Sequence, residues 1–154
     1  MDKKIVIGSD HGGYRLKEQV KKYLEKGKYK IDDVGTDSES SCDYPVPGFD
    51  AARKVSRKKA SRGIVICKTG IGMSIIANKL PGVRAGLCNS IADAASSRQH
   101  NDANVLVLAA TKLSSKKAID IVKIWMKTKS LKGRHSKRVR QITKLEKKVF
   151  KKNI

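Results

Sequence analysis

The chain has 154 residues, enough for one domain with a single core, and 35 Lys+Arg against 14 Asp+Glu give it a formal charge of +21. No run of about 18 apolar residues is present, which excludes a membrane-spanning helix, and the three cysteines, Cys42, Cys67 and Cys88, lack CxxC or His-rich zinc spacing and point to a reducing cytoplasm. Thirteen of the basic residues fall in positions 123–154 against one acid, Glu146, but nucleic-acid motifs and interleaved aromatics are missing there, so a solvated basic face and no specific nucleic acid are expected.

In chain order, Ile5-Val6-Ile7 reads as a buried strand that runs straight from the N-terminus, so no signal peptide is expected. It ends at Gly8-Ser9-Asp10-His11-Gly12-Gly13, after which Leu16, Val20, Tyr23 and Leu24 recur at helical spacing. Lys30–Val34 is the second strand, closed by Gly35-Thr36, and a polar loop leads through Cys42 to Asp43-Tyr44-Pro45. Residues 47–60 read as a helix with Phe49, Ala52 and Val55 inward. Gly63–Cys67 is the third strand, Gly72–Asn78 starts its helix, and Val83–Cys88 is the fourth strand after the Pro81-Gly82 turn. Ser90 caps a helix to about Gln99, Val105–Ala109 is a fifth, wholly apolar strand, and Ser114 or Ser115 caps a helix with Ala118, Ile121, Val122 and Trp125 on one face. After Gly133 a last, basic helix, about 136–154, carries Val139, Ile142, Leu145 and Val149 as a stripe suited to docking on a partner chain.

Apolar strands alternating with amphipathic helices predict a parallel sheet covered on both faces, a doubly wound α/β fold forming one domain over 1–154. In such folds ligands bind beyond the carboxyl ends of the strands. Asp10-His11 and Cys67-Lys68-Thr69 therefore fall on one rim.

The stretch from Ile66 to Ser74 is the most informative. It delivers a thiol to a strand end, beside a glycine loop and a helix N-terminus whose N–H groups suit an anion and a thiolate. The plain alternative is that Cys67 is a small core residue, the reading preferred for Cys88. Asp10 either meets a ligand or caps the helix that follows. His100 is either a proton shuttle or a helix-end partner of the dipole. Arg134, His135 and Arg138 either grip phosphate or form part of a basic surface. The first strand is followed by neither GxGxxG nor a Walker lysine motif, so NAD and ATP are not expected.

Gly8-Ser9-Asp10-His11, Val34-Gly35-Thr36, Asp43-Tyr44-Pro45, Cys67-Lys68-Thr69-Gly70-Ile71-Gly72, Ala77-Asn78-Lys79, Ser97-Arg98-Gln99-His100-Asn101 and Gly133-Arg134-His135-Ser136-Lys137-Arg138-Val139 together resemble ribose-5-phosphate isomerase B and its sugar-phosphate isomerase relatives, from Ile5 to about Glu146. The resemblance implies a Rossmann-like three-layer α/β/α sandwich with a five-stranded parallel sheet. It implies a homodimer, sometimes paired into a tetramer, with active sites shared between subunits, and a sugar-phosphate substrate handled without metal or organic cofactor. It implies Cys67 as general base and His100 as the ring-opening proton donor. By the same resemblance Thr69, Gly70, Ile71, Gly72 and Ser74 would stabilise an enediolate, Asp10 and Tyr44 would face the sugar, His11, Arg134 and Arg138 would hold the phosphate, and Asn101 would contact the substrate; Lys68, not a family residue at its position, is a further candidate to touch the sugar.

Three positions depart from that pattern. Met73 stands where some relatives carry a glutamate base, Lys68 where glycine is usual, and Thr111 near where an arginine is common. The expectation is that the loop keeps its shape and that Lys68 points outward. Two rival functions remain open: the same chemistry on a six-carbon substrate such as allose or galactose 6-phosphate, and a polyanion-binding protein on this fold.

Overall fold

The computed structural model describes residues 4–151. Five strands, β1 (Lys4–Ser9), β2 (Lys30–Asp33), β3 (Arg62–Cys67), β4 (Ala85–Leu87) and β5 (Val105–Ala109), form one all-parallel sheet in the order β2-β1-β3-β5-β4. The helices are α1 (Tyr14–Lys26, entered through a short 3-10 turn, His11–Gly13), α2 (Pro45–Ser56), α3 (Ile71–Ala77), α4 (Ile91–Asn101), α5 (Ser115–Lys127) and α6 (Arg134–Phe150). The fold is the expected α/β sandwich with a C-terminal helix. None of these helices is long and apolar enough to cross a membrane.

The two-residue period of a strand sorts the core into two layers. Ile5, Ile7, Ile64, Ile66, Leu106 and Leu108 face α1, α4 and α5, where Trp125 is fully buried. Val6, Val65, Cys67, Val105 and Val107 face α2 and α3. The three central strands are thus covered on both sides, which is why they are continuous apolar runs. The edge strand β2 alternates charges instead. Asp32 meets Lys54 of α2 at 2.6 Å and Lys4 at 3.5 Å, while Asp33 meets Lys17 and Lys21 of α1 at 2.6 and 3.2 Å. Ser90 and Ser114 cap α4 and α5, accepting from Asp93 N–H and Lys117 N–H at 3.0 and 3.2 Å.

Several boundaries differ from expectation. The fourth strand is limited to Ala85–Leu87; Arg84 before it accepts at its carbonyl from Asn104 N–H and Val105 N–H at 3.0 and 3.3 Å, and its guanidinium is held by Asn101 and Asp102. The inward face of α2 is made of Pro47, Gly48, Ala51, Ala52 and Val55. Phe49 is 38% exposed and lies under the Arg53 guanidinium. Small residues let α2 sit close to the sheet, and a phenylalanine one position round the helix is turned out. The last helix starts at Arg134, and its expected end at 154 lies outside the described residues.

β1 leads away to β2 on one side, and β3 leads to β4 and β5 on the other. The loops after β1 and β3 therefore diverge and leave a crevice between them. Lys17, 1% exposed, ties α1 to this rim through Asp33, with Glu18 at 3.3 Å and the Gly35 carbonyl at 3.5 Å as secondary partners. Asp33→Ala is expected to lower the unfolding free energy by about 3 kcal/mol, because it strands a buried ammonium, while Lys17→Met changes it by at most about 1 kcal/mol. Urea denaturation of both variants checks this asymmetry.

Candidate active site

The crevice is a cleft of about 180 Å³ lined by Asp10, His11, Tyr44, Cys67, Lys68, Thr69 and Gly72. Asp10 serves two ends at once. Its carboxylate accepts from Gly13 N–H at 3.0 Å, capping the 3-10 turn, and it lines the cleft while only 7% exposed. His11 Nδ1 stands 3.2 Å from both the amide nitrogen and the carbonyl oxygen of Cys42, so the backbone of that one residue can hold either ring tautomer. A larger hollow of about 650 Å³ opens near this contact, beside the β2–α2 loop, with Asp33, Thr36, Cys42, Asp43 and Val46 in its walls. No histidine lines it, whereas both His11 and Cys67 line the smaller cleft.

Cys67 ends β3 and is 5% exposed, and its sulfur accepts from Gly70 N–H at 3.2 Å. The turn this closes requires Gly70, whose φ is +76°, a conformation that side chains resist. Thr69 Oγ1 accepts from Ile71 N–H at 3.3 Å, and Gly70 O from Ser74 N–H at 3.0 Å. Among the described residues Gly72 N–H and Met73 N–H, at the start of α3, have no protein acceptor. Tyr44 closes the wall: a Cβ on Gly72 would stand 2.6 Å from its ring. Ile71 is 56% exposed, and Met73 is fully buried in the core and does not line the cleft. Cys88 is also core, with its thiol pushed up to about 11 by burial.

Lys68 corrects the expectation. It is exposed, but its stem does not turn away: it lies over Gly12 and lines the cleft. Its backbone is unstrained, since the non-glycine residues at positive φ are Lys28, Lys58 and Asp102.

The remaining residues form a second cluster at the opposite rim. Cys67 pairs with Ala109 at the carboxyl end of β5, whereas His100 and Asn101 end α4 just before the amino end of β5, where Gly63 pairs with Val105. The strand between the two rims covers about 13 Å. His100 stacks on His135 with ring centroids 4.4 Å apart and planes 10° from parallel. Arg134 and Arg138 are exposed on α6 beside this stack. The rim is built on Trp125, with the Arg62 and Arg98 guanidiniums 5.3 and 5.6 Å from its ring centroid. Arg62 donates to Trp125 O and Met126 O, and Arg98 to Thr128 O and Ala103 O. One chain therefore carries two half-sets of the residues singled out from sequence and does not bring them together. The stacking role of His135 went unassigned in sequence, where its only signal was its place between Arg134 and Arg138.

Helix α6 has three faces. His135, Ser136, Val139, Thr143 and Glu146 are half-buried against the body, with the Glu146 carboxylate accepting from Gly82 N–H at 2.9 Å. Arg134, Arg138, Ile142, Leu145 and Val149 fall within about 80° of arc on a second face. There Ile142, Leu145 and Val149 are 47, 60 and 61% exposed. Lys137, Arg140, Lys144, Lys147 and Lys148 form the third.

An acid, a histidine, a phenol and a strand-end thiol beside free amides thus meet at the switch point of a parallel sheet. The Ribose/Galactose Isomerase family description matches residues 5–142. Ribose-5-phosphate isomerase B of Escherichia coli is 40% identical over 144 residues, covering 94% of this chain and 97% of that one. The structure of Clostridium thermocellum ribose-5-phosphate isomerase B superposes with a TM-score of 0.92 at 47% identity, covering 95% of this chain and 99% of the other. Ribose-5-phosphate isomerase B from Mycoplasma genitalium, solved with bound ribulose-5-phosphate, gives 0.90 at 37% identity and covers 94% and 96%. The chain belongs to the ribose/galactose isomerase family and is a sugar phosphate isomerase.

His135 holds its proton less tightly than an ordinary histidine, through burial first and then the charges of His100, Arg134 and Arg138. Because the folded form disfavours the imidazolium, the stack is complete above about pH 6.5 and loosens as pH falls through the lower midpoint of His135. Ring-proton titration by NMR is expected to place His135 below the ordinary midpoint; a value above it contradicts this account.

Proposed function

We propose that this protein interconverts ribose 5-phosphate and ribulose 5-phosphate through an enediolate, with Cys67 as the base. The observation that carries the reading is the Cys67 sulfur at the end of β3, oriented by Gly70 N–H at 3.2 Å and sharing one cleft with Asp10, His11 and Tyr44. The names of the relatives support ribose 5-phosphate as the substrate.

In this mechanism the opened aldose lies in the cleft with carbon 2 toward Cys67. The thiolate takes the carbon 2 proton and the thiol returns it at carbon 1. The proton on the 2-hydroxyl leaves and one arrives on the former carbonyl oxygen, so the exchange balances without a redox partner. Charge on the developing oxyanion is met by the amides of Gly72 and Met73, with Thr69 and Ser74 nearby. Acid–base help of this kind is typically worth about 10²–10⁴-fold. Asp10, Tyr44 and Asn101 orient the sugar, and His11, Arg134 and Arg138 hold the phosphate.

Ring opening needs His100, which lies at the other rim of the same chain. The site is therefore completed by a second copy. The α6 face that bears Arg134 and Arg138 also bears exposed Ile142, Leu145 and Val149, so docking that apolar stripe on a neighbour delivers the two arginines with it. A two-fold dimer makes two such sites.

Cys67→Ala is expected to lower kcat by at least about 10³-fold with substrate binding retained, and His100→Asn to spare a pre-opened substrate more than the cyclic one. Mixed after dissociation and reassembly, the two inactive variants should regain on the order of one quarter of wild-type activity, because half the dimers then hold one intact site of two. No recovery in verified mixed dimers removes the shared site. Comparing kcat/KM for ribose 5-phosphate with those for allose and galactose 6-phosphates tests the substrate: a preference for a six-carbon sugar overturns that part.

A further inference from the structure

We infer that Lys68 joins His11 and the arginines of the second copy in holding the substrate phosphate, as the cation that the chain brings to its own cleft. The inference rests on the sugar phosphate isomerase reading of the cleft and adds a residue to it. Among the residues lining the cleft, Lys68 is the only lysine or arginine, and it makes no ion pair among the described residues. The nearby Arg15 is already paired with Glu39. Arg134 and Arg138 stand at the far rim of their own chain. Of the charges one chain brings to its own cleft, only Lys68 supplies a permanent, unneutralised cation.

Two contacts fix where that charge goes. The Lys68 carbonyl accepts from Thr111 N–H at 3.0 Å and from Thr111 Oγ1 at 2.7 Å, so β5's end holds the peptide and leaves the side chain free. The stem then crosses from the β3 loop to the β1 loop over Gly12. A Cβ at Gly12 would collide with Lys68 Cγ and stand 3.0 Å from Cε and 3.2 Å from Cδ. The bare Cα of Gly12 is thus the groove in which the stem lies. That course lays the end of the stem, Cε, against the loop that bears His11, and the residue lines the cleft. A methylene stem packed on the protein surface leaves a lysine's charged head in water, where it can meet a ligand. A lysine and a histidine that line one cleft suit a phosphate dianion, with the lysine offsetting the repulsion between that dianion and the Asp10 carboxylate.

The test uses the whole protein. Lys68→Met keeps the stem and removes the charge. It is expected to raise KM for ribose 5-phosphate, and Ki for inorganic phosphate as a competitive inhibitor, by about 10- to 100-fold, the range of a hydrogen bond to a charged group. Turnover at saturation should stay within about threefold, because the charge is not asked to act in the transition state alone. Gly12→Ala keeps the ammonium and blocks the groove. It should raise both constants too, and the double variant should be no worse than Lys68→Met alone, as expected for two residues serving one contact. Unchanged KM and Ki in Lys68→Met overturn the inference, as does a lower kcat at unchanged KM. Protection of Cys67 from iodoacetamide by inorganic phosphate separates this from the functional reading. If the wild type isomerises no sugar phosphate yet phosphate protects it and not Lys68→Met, the substrate assignment fails and the Lys68 site stands. If phosphate protects both equally, the Lys68 site fails.

Discussion

The parallel pairing of β1 with β3, Ile5–Ser9 against Arg62–Ile66, decides where every chemical group of this protein can stand. These strands are neighbours in the sheet but not in the chain, and their connections leave in opposite directions. The divergence opens the crevice, and the register brings Asp10 beside the end of the strand that carries Cys67. Asp10 N–H donates to Ile66 O at 3.3 Å, so the pairing continues one residue past β1 and seats the carboxylate there. Burial on both faces makes the pairing rigid, since a slip of one residue would exchange the isoleucine layer for the valine layer.

The same sheet imposes the opposite constraint on His100. A helix that starts at the carboxyl rim and returns to begin β5 must end at the amino rim. No rearrangement of loops brings its last turn to Cys67 without unmaking β5. Two rims of one rigid slab therefore offer two incomplete sets of groups, and α6, lying along the amino rim, carries the arginines on an outward stripe.

Much of this was legible in sequence because parallel strands are fully apolar and their carboxyl ends share a rim. That logic placed Asp10, His11, Cys67 and Thr69 together from spacing alone. Tyr44 joined them only through the family resemblance, because the loop before α2 has no periodicity that fixes its course. The inward face of α2 was misread for a physical reason: Gly48, Ala51 and Ala52 pack closely but carry little hydrophobic signal, whereas exposed Phe49 carries a great deal. The course of Lys68 was hidden for another. It depends on the absence of a side chain at Gly12, in a different loop and more than fifty positions away, and on Thr111, more than forty positions away on the other side. Pairings of that kind exist only once the sheet has formed.

The grip of Thr111 on the Lys68 carbonyl has a consequence for how this site can evolve. The loop is held through a backbone atom that every residue type possesses, in a conformation that every residue type tolerates. The identity of the side chain at 68 is thereby uncoupled from the shape of the turn that aims the sulfur. Selection can try charges, sizes or none at all at the lip of the cleft while the proton-transfer geometry beneath is inherited unchanged.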